Sequence, residues 1–116
     1  MIGVKKIPLK KIKIKKGNIF KFLSVKDKYF KKFGEIYFSE INLNKTKGWN
    51  YHKKNKCHIT VISGKVKFHF LKKEKKGYLS KKITLSKNNY SMIILSPKIF
   101  FSFKGLKKNN IIVNLL

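Results

Sequence analysis

Arginine, alanine and glutamine are absent from this 116-residue chain, and cysteine occurs once. One cysteine excludes an intramolecular disulfide and fits a reducing compartment. Carboxylates are scarce as well: Asp27, Glu35, Glu40 and Glu74 stand against 30 basic residues, all of them lysine, which gives a net charge of +26. No apolar run approaches the ~20 residues of a membrane-spanning helix. The opening MIGVKKIPLKKIKIKK has charge but no apolar core, so it does not read as a signal peptide. These absences point to a cytoplasmic, soluble protein without a membrane span.

What is present speaks for a folded domain. Hydrophobic residues make up 42% and aromatics 14%, too apolar for a disordered basic tail, whose mark is low hydrophobicity with high charge. The length suits one domain with one core, spanning 1–116 with no linker and no internal repeat. The wealth of Lys, Asn, Ile and Phe fits a genome rich in A and T, which accounts for Lys over Arg but not for the shortage of acids. The lysines run from Lys5 to Lys108 without gathering on one segment. Charge so dispersed is mostly a solvated surface, and Arg, the residue preferred for bidentate reading of bases and phosphates, is missing. Dedicated nucleic-acid binding is therefore disfavoured.

The chain reads as about eight or nine short strands with turn signals every 8–12 residues, the pattern of an all-β sandwich or jelly roll. Lys10–Lys16 alternates Lys and Ile, Asn18–Leu23 is a brief apolar piece, and residues 24–33 form a loop or single helical turn. Lys82–Ser86, Tyr90–Leu95 and Ile111–Leu116 are further strands. The centre is KGWNYHKKNKCHITVISGKVKFHF, residues 47–70. After a Lys47-Gly48 turn come Trp49, Asn50, Tyr51 and His52, then the β-branched run Ile59–Ile62, a Ser63-Gly64 turn, and Val66, Phe68 and Phe70 at period two. Strand, glycine turn and strand predict a hairpin with Asn50, His52, Cys57 and His58 at its mouth. Two segments, Glu35–Leu43 and Ile99–Phe103, are apolar on both phases and so predict cover on both faces, hence a homodimer.

The spacing Asn50-x-His52-x4-Cys57-x6-Gly64 is in register with the metal motif of the cupin jelly rolls, His-x-His followed by Glu and Gly. Of the ligand positions only His52 remains, and the later one, past Pro97, falls on Ser102, so no metal and no cofactor are expected. Across PLKKIKI, FGEIYFSEI, KGWNYHKKNKCHITVISGKVKF, ITLSKNNYSMIILSP and FKGL the chain resembles the dTDP-4-dehydrorhamnose 3,5-epimerase-related cupins, with the sugar 3,4-ketoisomerases as neighbours. The resemblance runs from about Pro8 to Leu116 and implies an all-β cupin jelly-roll barrel, a double-stranded β-helix.

It also implies a function: epimerase or isomerase chemistry on a nucleotide sugar, a dTDP-linked 4-keto-6-deoxyhexose of surface polysaccharide synthesis, by proton abstraction next to a ketone. That reaction needs a base titrating near neutrality, donors for the developing oxyanion, and cations for the diphosphate. The epimerase motif Arg-Gly-x-His is here Lys47-Gly48-Trp49-Asn50, so Asn50 stands where the base should be. In the ketoisomerase motif Arg-Gly-x-His-x-His, the second His is His52. His52 is thus the candidate catalytic base, against the alternative of a surface turn histidine beside Lys53 and Lys54. The resemblance implies Lys47 as an anion contact and Trp49, Asn50 and Tyr51 as pocket wall, with Cys57 at the cupin carboxylate position and Ser102 a donor on a later strand. His58 and His69 read as structural. A non-catalytic cupin binding a nucleotide sugar is the second reading, supported by the missing base at Asn50. A polyanion binder is the third.

Overall fold

Alternation of side chains folds the chain into two facing sheets. Val66, Phe68 and Phe70 are fully buried while Lys65, Lys67 and His69 between them face out. Each such phenylalanine contributes on the order of 2–3 kcal/mol of apolar burial. The computed structural model describes residues 1–116 and contains eleven strands and no helix, hence none long and apolar enough to cross a membrane. They are β1 (Val4–Pro8), β2 (Lys11–Ile12), β3 (Ile19–Phe20), β4 (Ile36–Asn42), β5 (Thr46–Asn50), β6 (Cys57–Ser63), β7 (Lys65–Glu74), β8 (Gly77–Ser86), β9 (Ser91–Leu95), β10 (Phe100–Gly105) and β11 (Asn109–Leu115). A five-stranded sheet, β1-β9-β6-β11-β4, packs on a four-stranded one, β5-β10-β7-β8, and β2-β3 form a small ribbon. The core between the sheets includes Ile59, Val61, Phe68, Phe70, Leu95 and Phe101.

The hairpin expected at Ser63-Gly64 is a connection between sheets. β6 lies between β9 and β11, and β7 between β8 and β10, so the two strands do not pair. Gly64 has φ +80°, and a Cβ there would lie 2.3 Å from both the Asn109 carbonyl and Asn110 Oδ1. Asn110 seals the crossing: its Oδ1 accepts from the Lys65 N–H at 2.8 Å, and its Nδ2 donates to the carbonyls of Ile41 at 2.9 Å and Lys107 at 2.8 Å. The true hairpin is β7–β8, closed by Lys75 and Lys76 between the paired Glu74 and Gly77. The strand expected over Lys82–Ser86 therefore begins at Gly77.

Residues 9–34 hold only the two-residue strands β2 and β3 where longer ones were expected, and they lie across the outer face of the five-stranded sheet. The Leu9 N–H reaches the Tyr90 carbonyl at 3.0 Å, Phe20 packs edge-on to Tyr90, and His58 Nε2 lies 2.9 Å from the Tyr29 carbonyl. This second cover explains why every residue of β9 is buried. β4 is different. Its inward residues are Tyr37, Ser39 and Ile41, while Ile36 and Phe38 on the other phase are 44% and 63% exposed. Within Ile99–Phe103, Phe101 and Phe103 fill the core and Ser102 faces the opposite way.

Candidate functional site

Lys47-Gly48, expected as a turn, belongs to an edge strand with a bulge. On β10, Phe101 pairs with Asn50 and Phe103 with Lys47, so Gly48 and Trp49 together oppose Ser102. The extra residue resets the alternation, as a β-bulge does, and turns both Lys47 and Asn50 inward although they are three apart. Gly48 (φ +138°) is required there: a Cβ would meet Ser102 Cβ at 2.7 Å. Trp49 then points outward onto His69, ring centroids 5.2 Å apart, and Tyr51 packs on Phe100 at 4.5 Å. His52 comes back to the inner phase. Its ring stacks on Phe101 at 6.2 Å, and its carbonyl accepts the Lys98 N–H at 2.8 Å.

Between the sheets lies a cavity of about 250 Å³ with walls of Ile59, Phe68, Phe101, Phe103 and Ile112. Five polar residues converge on it: Lys47 and Asn50 from β5, Tyr37 and Ser39 from β4, and Asn114 from β11. An apolar pocket with a few convergent polar groups is the usual form of a small-molecule site. Asn114, 2% exposed, donates from Nδ2 to the Tyr37 hydroxyl at 2.9 Å; its Oδ1 makes no hydrogen bond of ordinary geometry, and the amide also faces the Cys57 thiol. Burial holds the Tyr37 phenol above its ordinary value, with Asn114 pulling partly the other way. Lys47 Nζ donates to the Glu40 carbonyl. Cys57 is fully buried beside these groups, and burial pushes its thiol up to about 11, so it is protonated at neutral pH and not a nucleophile. A larger cleft, about 530 Å³, lies under the N-terminal segment against Met92, but its walls are mostly apolar and its carboxylate, Asp27, is already bonded to the Ser24 N–H.

No protein-family model matches the chain, and no curated protein matches its sequence. Solved structures do. A dTDP sugar isomerase from Desulfovibrio desulfuricans G20 superposes with a TM-score of 0.93 at 23% identity, over 98% of this chain and 76% of that one. A sugar 3,4-ketoisomerase from Thermoanaerobacterium thermosaccharolyticum, in complex with TDP, gives 0.82 at 19% over 99% and 80%. A dTDP-6-deoxy-D-glucose-3,5-epimerase from Legionella pneumophila, in complex with dTDP-4-keto-L-rhamnose, gives 0.85 at 15% over 99% and 66%. The fold is the cupin jelly roll.

Within this fold the residues singled out from the sequence divide. Lys47 and Asn50 line the cavity, and His52 lies on its phase against a lining ring but is not itself among the lining residues. Trp49, Tyr51 and Ser102, expected in or near the pocket wall, are on the other side of the four-stranded sheet, because the bulge and the alternation of β10 turn them out. Cys57 packs in the core beside the cavity rather than on it. Three further residues line the cavity: Tyr37, Ser39 and Asn114. The first two share one phase of EIYFSEINL and so carried a signal. Asn114, inside IIVNLL, carried none.

Proposed function

We propose that this cupin binds a nucleotide-linked 4-keto-6-deoxyhexose in the inner cavity and moves a proton beside its ketone, as an epimerase or ketoisomerase of polysaccharide synthesis. The observation that carries the reading is the convergence of Lys47, Asn50, Tyr37, Ser39 and Asn114 on an otherwise apolar cavity, in a fold shared with enzymes solved with TDP and with a 4-keto sugar. His52 is the base. It takes the proton from the carbon next to the ketone, the electron pair moves onto the keto oxygen, and the Tyr37 hydroxyl and Lys47 ammonium stabilise that oxyanion. Protonating the former ketone carbon, while the adjacent hydroxyl gives up its proton and the oxyanion takes one, shifts the ketone to the neighbouring carbon and isomerises the sugar; delivering a proton to the opposite face of the original carbon epimerises it.

A second reading, binding without turnover, is favoured by one observation: none of the ten cavity residues is a histidine or a carboxylate. Incubation with a dTDP-4-keto-6-deoxyhexose in D₂O separates the two. The catalytic reading expects deuterium in the sugar, lost in His52→Ala with binding retained; binding without exchange in the wild type selects the second reading, and no binding removes both.

The protein acts as a homodimer in this proposal. Phe38 (63% exposed), Phe33 (65%) and Ile36 (44%) leave apolar surface along and beside the edge strand β4 that a second copy would cover. The buried, unpaired Cys57 fits a cytoplasmic location.

A further inference from the structure

The residues that the bulge turns outward do not merely leave the cavity; they assemble on a second surface. Strand register sets the outer face of the four-stranded sheet in rows. Lys104, Lys67 and Thr84 form one row, Ser102, His69 and Lys82 the next, and Phe100, Leu71 and Ser80 the third, with Lys73 beside Tyr78 beyond them. Trp49, 49% exposed, lies edge-on to His69 in the second row. Tyr51, 41% exposed, lies on Phe100 in the third, and Tyr78 at the far end is 58% exposed. The core is on the opposite face of this sheet, so these three rings owe their positions to nothing in it.

The charge around the rings has one sign. Lys67, Lys73, Lys82 and Lys104 all project from this face. Burial, and then the neighbouring Lys82 and Lys67, hold the His69 imidazole below its ordinary value. No carboxylate lies on this face. Glu74 falls on the opposite phase of β7, Asp27 sits in the N-terminal segment, and Glu35 and Glu40 belong to the β4 edge. The lysine count does not set this face apart, since lysines cover the whole molecule; the interleaving of half-exposed planar rings with them does.

We propose that the outer face of the four-stranded sheet binds single-stranded nucleic acid, with Trp49, Tyr51 and Tyr78 stacking unpaired bases and Lys67, Lys73, Lys82 and Lys104 meeting the phosphates. Aromatic rings on an open sheet take bases only when those are unstacked, which selects single strands over duplex. The rows of this face hold no arginine, asparagine or glutamine to read base edges bidentately, so binding is indifferent to sequence and steeply salt-dependent. The surface is separate from the cavity and stands whether or not the cavity turns over a sugar.

Trp49 is the sole tryptophan, so its fluorescence reports this face alone. The full-length protein is titrated with a 15-nucleotide oligo-dT, a duplex of the same length and heparin, following tryptophan emission and the anisotropy of labelled oligo-dT from 50 to 300 mM salt. Oligo-dT is expected to quench Trp49 and to bind more tightly than duplex. Trp49→Ala and Tyr78→Ala should each weaken binding about tenfold, the usual loss for a stacked base. Replacing Lys67, Lys82 and Lys104 by Ser should flatten the salt slope by about 2, at roughly 0.7 per phosphate contact, and more than replacing Lys28, Lys31 and Lys32 on the N-terminal segment. Heparin should compete without quenching. Equal affinity for all three polyanions, with no quenching and no loss in Trp49→Ala, would overturn the proposal and leave only general charge attraction.

Discussion

Asn114→Leu tests the assignment of the cavity through stability and binding at once. Leucine keeps the branch at Cγ and enters a space with about 250 Å³ of free volume beside it. Two terms change. The bond from Asn114 Nδ2 to the Tyr37 hydroxyl is lost, which costs about 1 kcal/mol net. The buried Oδ1, which makes no hydrogen bond of ordinary geometry, disappears and relieves a desolvation cost of about 1–3 kcal/mol. The sum favours the variant by about 1 kcal/mol, equivalent to about 4 °C in Tm for a domain of this size. Urea unfolding should show a higher midpoint at unchanged slope, while stabilisation by a dTDP-linked sugar, measured as a concentration-dependent Tm shift, is lost. A more stable protein that no longer responds to ligand marks a position kept for binding at the expense of the fold. A loss of more than 1 kcal/mol would refute the reasoning, because it would mean that Oδ1 is already satisfied.

Other outcomes follow from the same contacts. Asn110→Ala removes three hydrogen bonds made by a buried side chain, one of them fully buried and two partly, so urea unfolding should show a loss of about 3 kcal/mol. Cys57 stays protonated in the fold up to about 11 while the unfolded thiol ionises from 9.0; the unfolded chain therefore releases its proton first, and stability should fall by roughly 2 kcal/mol as pH rises from about 9 to 11. Tyr37 and Tyr90, also raised chiefly by burial, act in the same direction, so Cys57→Val should remove only the thiol's part of that decline. Phe38→Glu should leave the melting temperature of the isolated subunit unchanged while light scattering after gel filtration reports a monomer.

Strand periodicity made the core legible, since Val66, Phe68 and Phe70 alternate without interruption. It could not say which strands pair. A glycine turn between two apolar runs looks the same whether the chain doubles back within a sheet or crosses to another, and what decides the matter at Gly64 is Asn110, far along the chain. The site was half legible for a similar reason. Spacing alone keeps Lys47, Asn50 and His52 together, but it cannot part Trp49 and Tyr51 from them, because the bulge that does so needs Ser102 as its opposite number. Asn114 shows the limit most plainly: a single amide in an apolar strand gains meaning only when Tyr37 from a distant strand comes within 2.9 Å.

The crossing at Gly64 also has a consequence in time. Because β6 leaves its sheet there, its partners β9 and β11 lie far downstream, and β4 waits for a strand whose Asn110 side chain reaches back 69 residues to Ile41. Only the β7–β8 hairpin and the short β2–β3 ribbon pair strands that are neighbours in the chain. The larger sheet joins strands far apart in sequence, the slow regime of non-local pairing. Until β11 arrives β4 has no strand partner for Tyr37, Phe38 and Ile41, and a net charge of +26 sets unfolded copies of the chain in mutual repulsion.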